Sequence, residues 1–203
     1  GTSEVTVPAN ASAKQIQSYL DRNASGIYDE LIVNFPDGKY RLDRTLYVHS
    51  NTTIKAGEKA VFEKQKINGA MLEGKITNDK GGYDTVTNIN IEGGVWDSKP
   101  VIGSKNEGTE TFRFIHASNI HIMNAEFSNV PVGSHLIVFA GVADSMIENC
   151  VFHGYGNGSV KNPEPKEAIQ LDIPHNSEIV PTLQEAVVKW NDLPCKNIII
   201  RGC

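Results

Sequence analysis

The stretch KEAIQLDIPH, residues 166–175, puts three polar groups with chemical potential into one short run: Glu167, Gln170 and Asp172. Gln170 and Asp172 are two residues apart, so on a strand they face the same way at about 6.5 to 7 Å. Two carboxylates can divide the work of cleaving a glycosidic bond, one protonating the leaving oxygen and the other acting at the anomeric carbon. The spacing is about 5 to 5.5 Å for retention and about 6.5 to 9.5 Å for inversion. Asp172 and Glu167 are therefore the expected catalytic pair. A fully extended path between them spans roughly 16 Å, so the pair requires the chain to fold back at Glu167. Glu178, with His175 on the loop after Asp172, is the other carboxylate within reach. His135, Gln170 and Arg113 are expected to position hydroxyl groups, with His175 and Glu178 beside them. Tyr155 and Trp190 would stack on a ring face, a role that suits amphipathic aromatic side chains.

The elements that must position these residues come from an internal repeat. TNINIEGGVWD (87–97), SNIHIMNAEFS (118–128), ADSMIENCVFH (143–153) and CKNIIIRGC (195–203) superpose on their alternating apolar positions. NTTIKAGEKAVFE (51–63) is a weaker relative. Most are preceded by another short apolar run: AMLEG (70–74), FRFIHA (112–117), LIVFAG (136–141) and IQLDIP (169–174). Alternation with a period of two gives each strand one buried face. Strand, bend, strand, bend at a recurring interval describes the stacked coils of an all-β, right-handed parallel β-helix solenoid. A β-sandwich would also alternate, but it needs turn signals between paired runs. The Asp-Gly at 37–38 and the Asn-Gly at 68–69 and 157–158 lie elsewhere.

The alignment sets His135 beside Glu167, Val138 beside Gln170 and Ala140 beside Asp172, with Arg113 in the Gln170 column. Ser12 and Gln15 fit a capping box, and Ile16, Tyr19 and Leu20 mark the apolar face of a helix over 13–23. Residues 1–25 thus form an N-terminal segment whose helix covers the first open edge of a single domain, 1–203. No matching cap ends the chain. The open edge after Cys203 is expected to be covered by further coils of a longer protein, or by another chain. Residues 155–194 form an insertion region around the strand 168–173, with a helix expected from Pro181 to about Asn191. Gly94, Ala125, Cys150 and Cys203 share one column at a bend, where the two cysteines are either buried free thiols or a disulfide.

Bulk properties narrow the partners. The net charge of −5 and a pI near 5.7, without a Lys/Arg cluster, argue against nucleic acid. The apolar runs fall short of the roughly 20 residues of a membrane span. The opening GTSEVTVP has neither an initiator Met nor an apolar signal core, so the start reads as trimmed. The spacing of the cysteines matches no zinc pattern, and no metal ligands or organic cofactor are expected.

The segment LIVNFPDGKYRLDRTLYVHSNTTIKA (31–56), behind an amphipathic helix, resembles the opening coil of the pectin-lyase-like superfamily. EAIQLDI resembles the acidic strand of β-helix glycosidases, which implies a catalytic carboxylate at Glu167; Lys166 stands where that family has a second acid. FRFIHASNI, EAIQLDIPHNS and PCKNIIIRGC are similar to β-helix domains of Gram-positive cell-surface proteins, some glycan-active, the lacto-N-biosidase family among them. These resemblances imply an extracellular or bacterial cell-surface protein acting on an oligosaccharide or polysaccharide. Three readings follow: a glycoside hydrolase, a non-catalytic adhesin or assembly module, and a polysaccharide lyase. A Ca²⁺ ion enters only with the last.

Overall fold

The computed structural model describes residues 1–98, 110–130, 134–155 and 167–203. Among them thirteen strands join by parallel pairing alone. They are β1 (Thr2–Thr6), β2 (Glu30–Phe35), β3 (Gly38–Leu42), β4 (Leu46–Val48), β5 (Thr52–Lys64), β6 (Leu72–Gly74), β7 (Val86–Asp97), β8 (Phe112–Met123), β9 (Glu126–Val130), β10 (His135–Glu148), β11 (Val151–Tyr155), β12 (Glu167–Asp172) and β13 (Lys196–Arg201). A single α-helix of regular length among the described residues, α1 (Ala13–Leu20), follows β1.

The pairing resolves into three ladders that the chain visits in rotation. The first runs β1, β2, the start of β5, the start of β7, the second half of β8, the second half of β10, then β13. The second joins β3, the end of β5, the end of β7, β9 and β11. The third joins β4, β6, and the first halves of β8 and β10, then β12. Paired apolar runs expected as separate strands are thus continuous in β8 and β10, which bend from one ladder into the next. The bends fall where the backbone turns left-handed, at His116 (φ 51°) in β8 and Gly141 (φ 62°) in β10.

Period-two alternation sends one face of every ladder inward. On the first ladder Val33, Ile54, Ile91, Ile122 and Ile147 stack in register and are fully buried. On the second, Tyr40, Phe62, Trp96, Phe127 and Phe152 form one aromatic column. Phe62 and Trp96 stack with centroids 3.9 Å apart. Each such side chain removed from water contributes about 1.5 to 3 kcal/mol, which is why the register cannot slip. At the final rung the inward positions lose their neighbours. Leu171, at inward parity, is 47% exposed, and Ile200 is 44% exposed.

Corners are held by a column of residues in the left-handed region: Asn51, Asn88, Asn119, Asp144 and Asn197, all with φ between 52° and 63°. Asn and Asp tolerate this conformation because a short polar side chain can bond locally. Here the amides also link successive strands of the ladder: Asn119 Nδ2 donates to Asn88 Oδ1 (2.6 Å), Asn88 Nδ2 to Asn51 Oδ1 (2.9 Å) and Asn197 Nδ2 to Asp144 Oδ1 (2.7 Å).

Ser12 caps α1 by accepting from the Gln15 N–H, and Ala13, Ile16 and Leu20 bury its inner face. A 3-10 turn (Asp21–Asn23) completes the helical segment expected over 13–23. The Gln17 amide donates to Tyr47 O (2.9 Å) and accepts from Tyr47 N (2.8 Å), so it satisfies the backbone of β4 where a neighbouring strand otherwise would.

The three cysteines are free. Cys150 is buried, donates toward Ile122 O, and burial pushes its thiol up to about 11. Cys203 repeats the arrangement one rung on, facing Ile147 O.

Candidate functional site

The outward face of the third ladder collects the polar side chains. Register stacks Tyr47, Glu73, Arg113, Val138 and Gln170 in one column, with Asp172 beside Ala140 two residues along. Rungs are about 4.8 Å apart, so Glu73 and Arg113 are placed side by side by backbone pairing before any side chain is considered. Arg113 Nη1 lies 3.5 Å from Glu73 Oε1, and Nη2 pairs with Glu110 Oε2. All three are buried, with the Arg113 side chain 2% exposed. Thr182, from the insertion, donates its hydroxyl to Glu73 Oε1 at 2.6 Å. The second carboxyl oxygen of Glu73 and the Nε of Arg113 are buried without a hydrogen-bond partner among the described residues.

Burial dominates the protonation of this cluster. It raises the Glu73 carboxyl above its ordinary value, against the pull of Arg113 and the Thr182 hydroxyl. Tyr47 is pushed up to about 12, first by burial and then by Glu73. Lys64 stands at the inward parity of the second ladder and donates to Glu110 O at 3.4 Å. Burial, then the neighbouring Arg113, lowers it to about 7.

A recess of about 320 Å³ opens over this cluster, lined by Asn68, Glu110, Arg113, Thr182, Leu183 and Glu185 among others. One wall is the segment after β12. The expected helix from Pro181 to Asn191 is replaced there by a 3-10 turn, Glu185–Val187, with extended Val188 after it. The reason is that the groups a helix would need are bonded across to the ladders. The Gln184 amide accepts from Ile76 N (2.7 Å) and donates to Gly74 O (3.0 Å), and Lys189 N donates to Asp79 Oδ2 (2.9 Å). Buried His116 bridges Asp79 Oδ2 (2.6 Å) and Asn191 Oδ1 (2.9 Å), while Asn191 Nδ2 donates to Gly81 O (2.8 Å). Burial alone would raise the Asp79 carboxyl, but the N–H groups of Lys189 and Gly81, with His116 and Thr85, bring it below its ordinary value.

The residues expected from sequence divide into groups. His135, Glu167, Gln170 and Asp172 share the third ladder in the anticipated register. Gln170 Nε2 donates to Asp172 Oδ2 (3.1 Å), and His135 Nδ1 lies 3.3 Å from Glu167 Oε2. Burial lowers the His135 imidazole, opposed by Glu167 and Asp172. The fold-back required of the Glu167 and Asp172 pair does not occur. β12 keeps regular register with β10 from Glu167 to Asp172, so the two stand about 16 Å apart along the strand, beyond the span either glycosidase geometry uses.

Arg113 is not an open hydroxyl-binding side chain but a buried one held by two carboxylates. His175 pairs with Asp192 at 2.5 Å and Glu178 is exposed, its N–H bonded to Asn176 Oδ1. Trp190 packs against the core, and Tyr155 belongs to β11 on the second ladder, away from β12 in the pairing. Residues 156–166, with Lys166 and most of the first part of the insertion region, lie outside the described residues. Among the described residues no three of His, Cys, Asp and Glu converge so as to hold a metal ion.

Glu73, Glu110, Lys64 and Thr182 were not singled out by sequence reasoning. The signal for Glu73 was present: extending the Gln170 and Arg113 column to the LEG of β6 lands on it.

No family model matches the chain, and no curated protein matches it in sequence. Solved structures do match in fold. PfbA, a surface adhesin of Streptococcus pneumoniae, superposes with a TM-score of 0.71 and 22% identity over 98% of this chain and 48% of its own. A second structure of that adhesin gives 0.71 and 21% over 98% and 52%. A candidate glycosyl hydrolase from Parabacteroides merdae gives 0.54 and 14% over 97% of both chains. The chain therefore spans about half the length of the adhesin chains it matches.

Proposed function

We propose that this chain is a right-handed parallel β-helix module, closed at its first coil by α1, that engages an oligosaccharide or polysaccharide at the bacterial cell surface. The observation that carries the reading is the recess over Arg113. It is a concave site on the outward face of a packed ladder, walled by the long segment that leads from β12 to β13 and lined by convergent polar groups. The guanidinium is buried and fixed by Glu73 and Glu110, so the floor of the recess is preorganised and needs no reordering on binding. Gln170 and Asp172 extend the site two rungs along the ladder, roughly 10 Å. The fold shared with a surface adhesin supports the location, and among the described residues no helix is long and apolar enough to cross a membrane.

A second reading, hydrolysis of the bound glycan, is favoured by one observation. Two carboxyls end on one guanidinium, and burial raises that of Glu73, which is the condition a general acid needs. A polysaccharide lyase that depends on Ca²⁺ finds no ligand cluster among the described residues. The test is a glycan panel scored for both binding and product release, with wild type, Glu73→Gln and Asp172→Asn compared. Binding without release in all three establishes a recognition module. Release abolished by Glu73→Gln or Asp172→Asn, with the fold intact, establishes a hydrolase and its acid. No binding to any glycan defeats the proposal.

A further inference from the structure

Resting on that reading, we infer that the recess accepts an uncharged sugar unit and rejects a carboxylated one. Charge along the described lining is the first argument: Arg113 is its one cation, set against Glu110 and Glu185. The guanidinium is already committed. A carboxylate is normally recognised by the paired N–H groups of an arginine fork, but Nη1 faces Glu73 and Nη2 faces Glu110. The rest of the guanidinium is out of reach: the side chain is 2% exposed, and the Nε–H is buried without a partner among the described residues.

Carboxylate and amide acceptors over a withheld cation suit a hydroxyl group. A hydroxyl accepts with its lone pairs and donates its proton, whereas an ionised carboxylate only accepts. A sugar hydroxyl can thus donate to Glu110, Glu185 or the Asn68 side-chain carbonyl and accept from the Asn68 amide. A sugar carboxylate in the same place finds no free arginine fork and faces Glu110 and Glu185 in a partly desolvated recess, where repulsion is stronger than in water. Leu183, half-exposed on the rim, offers an apolar surface to the C–H face of a ring.

Glu185 is the residue through which the preference can be changed without disturbing the fold, since it is exposed on the 3-10 turn and makes none of the bonds that anchor the wall to the described residues. The experiment uses the full chain and a panel of hexose and N-acetylhexosamine oligosaccharides, each measured beside its 6-carboxylated counterpart by calorimetry. Wild type is expected to bind the uncharged member of the responsive pair more tightly by on the order of tenfold. Glu185→Lys is expected to narrow that ratio by a similar factor, with unchanged thermal unfolding as the control. Equal or tighter binding of the carboxylated member by wild type, or a ratio that Glu185→Lys leaves within twofold, overturns the inference while glycan binding stands. Failure of every pair to bind overturns the glycan reading itself.

Discussion

Replacing Gln184 by Leu should release the wall of the recess. Its amide is buried and makes two bonds to the ladder edge, accepting from Ile76 N at 2.7 Å and donating to Gly74 O at 3.0 Å. Leucine keeps most of the volume but leaves a buried N–H and a buried carbonyl without partners, each costing about 1 to 3 kcal/mol. A total near 3 kcal/mol is more than the segment need tolerate, because it can open locally and let water satisfy both groups. The expected outcome is local: amide exchange over 181–191 and at Ile76 rises by on the order of a hundredfold, about 1.4 kcal/mol per factor of ten. Global denaturation shifts by less, since β5, β7, β8 and β10 keep their core. Hydrogen exchange read by mass spectrometry, with a urea melt alongside, separates the two. Exchange within threefold of wild type across 181–191 would refute the claim that this side chain anchors the wall.

Other expectations follow from the same packing. Lys64 holds about 7 in the folded chain against 10.5 as its ordinary value, so between those values the unfolded chain binds more protons and stability rises with pH. The wild-type slope from pH 7.5 to 9.5 should exceed that of Lys64→Met by about 1.4 kcal/mol per unit; parallel slopes in urea melts would contradict this. Asn119 sits at φ 54° and donates to Asn88. Asn119→Ala should therefore cost about 2 kcal/mol and Asn119→Gly about 1, since glycine spares the left-handed penalty; a reversed order in thermal melts would count against the corner column. Cys150, buried and raised to about 11, should resist alkylation at pH 8 that modifies exposed Cys203. Equal labelling in the native protein would show that the packing around Cys150 opens.

Much of the architecture was legible because burial imposes a period of two. The Ile and Val positions of the repeats named the inward face, and the register of His135, Val138 and Ala140 against Glu167, Gln170 and Asp172 followed from superposing them. The corner column was equally visible, one Asn or Asp ahead of each run at Asn51, Asn88, Asn119, Asp144 and Asn197, but its meaning lies in backbone φ, which composition does not display. The site was less legible for a physical reason. β6 has three residues, too few to show alternation by itself, so Glu73 could be found only by carrying the Arg113 column across to it. Lys64 is buried beneath a carbonyl 46 positions away, and Glu73 is bonded by a hydroxyl 109 positions away. The wall at 181–191 read as a helix by its Pro start, and lost that form to hydrogen bonds with β6 and Asp79 that no local pattern foretells.

The most direct test is a map of where a glycan sits. Hydrogen exchange of the full chain would be measured with and without the tightest-binding oligosaccharide from the panel, at saturating concentration. Protection concentrated at 68–69, 110–113 and 181–185 is the predicted result, fading along the third ladder toward Asp172. Protection confined to the first or second ladder, with the Arg113 recess exchanging as in the free protein, would contradict the account.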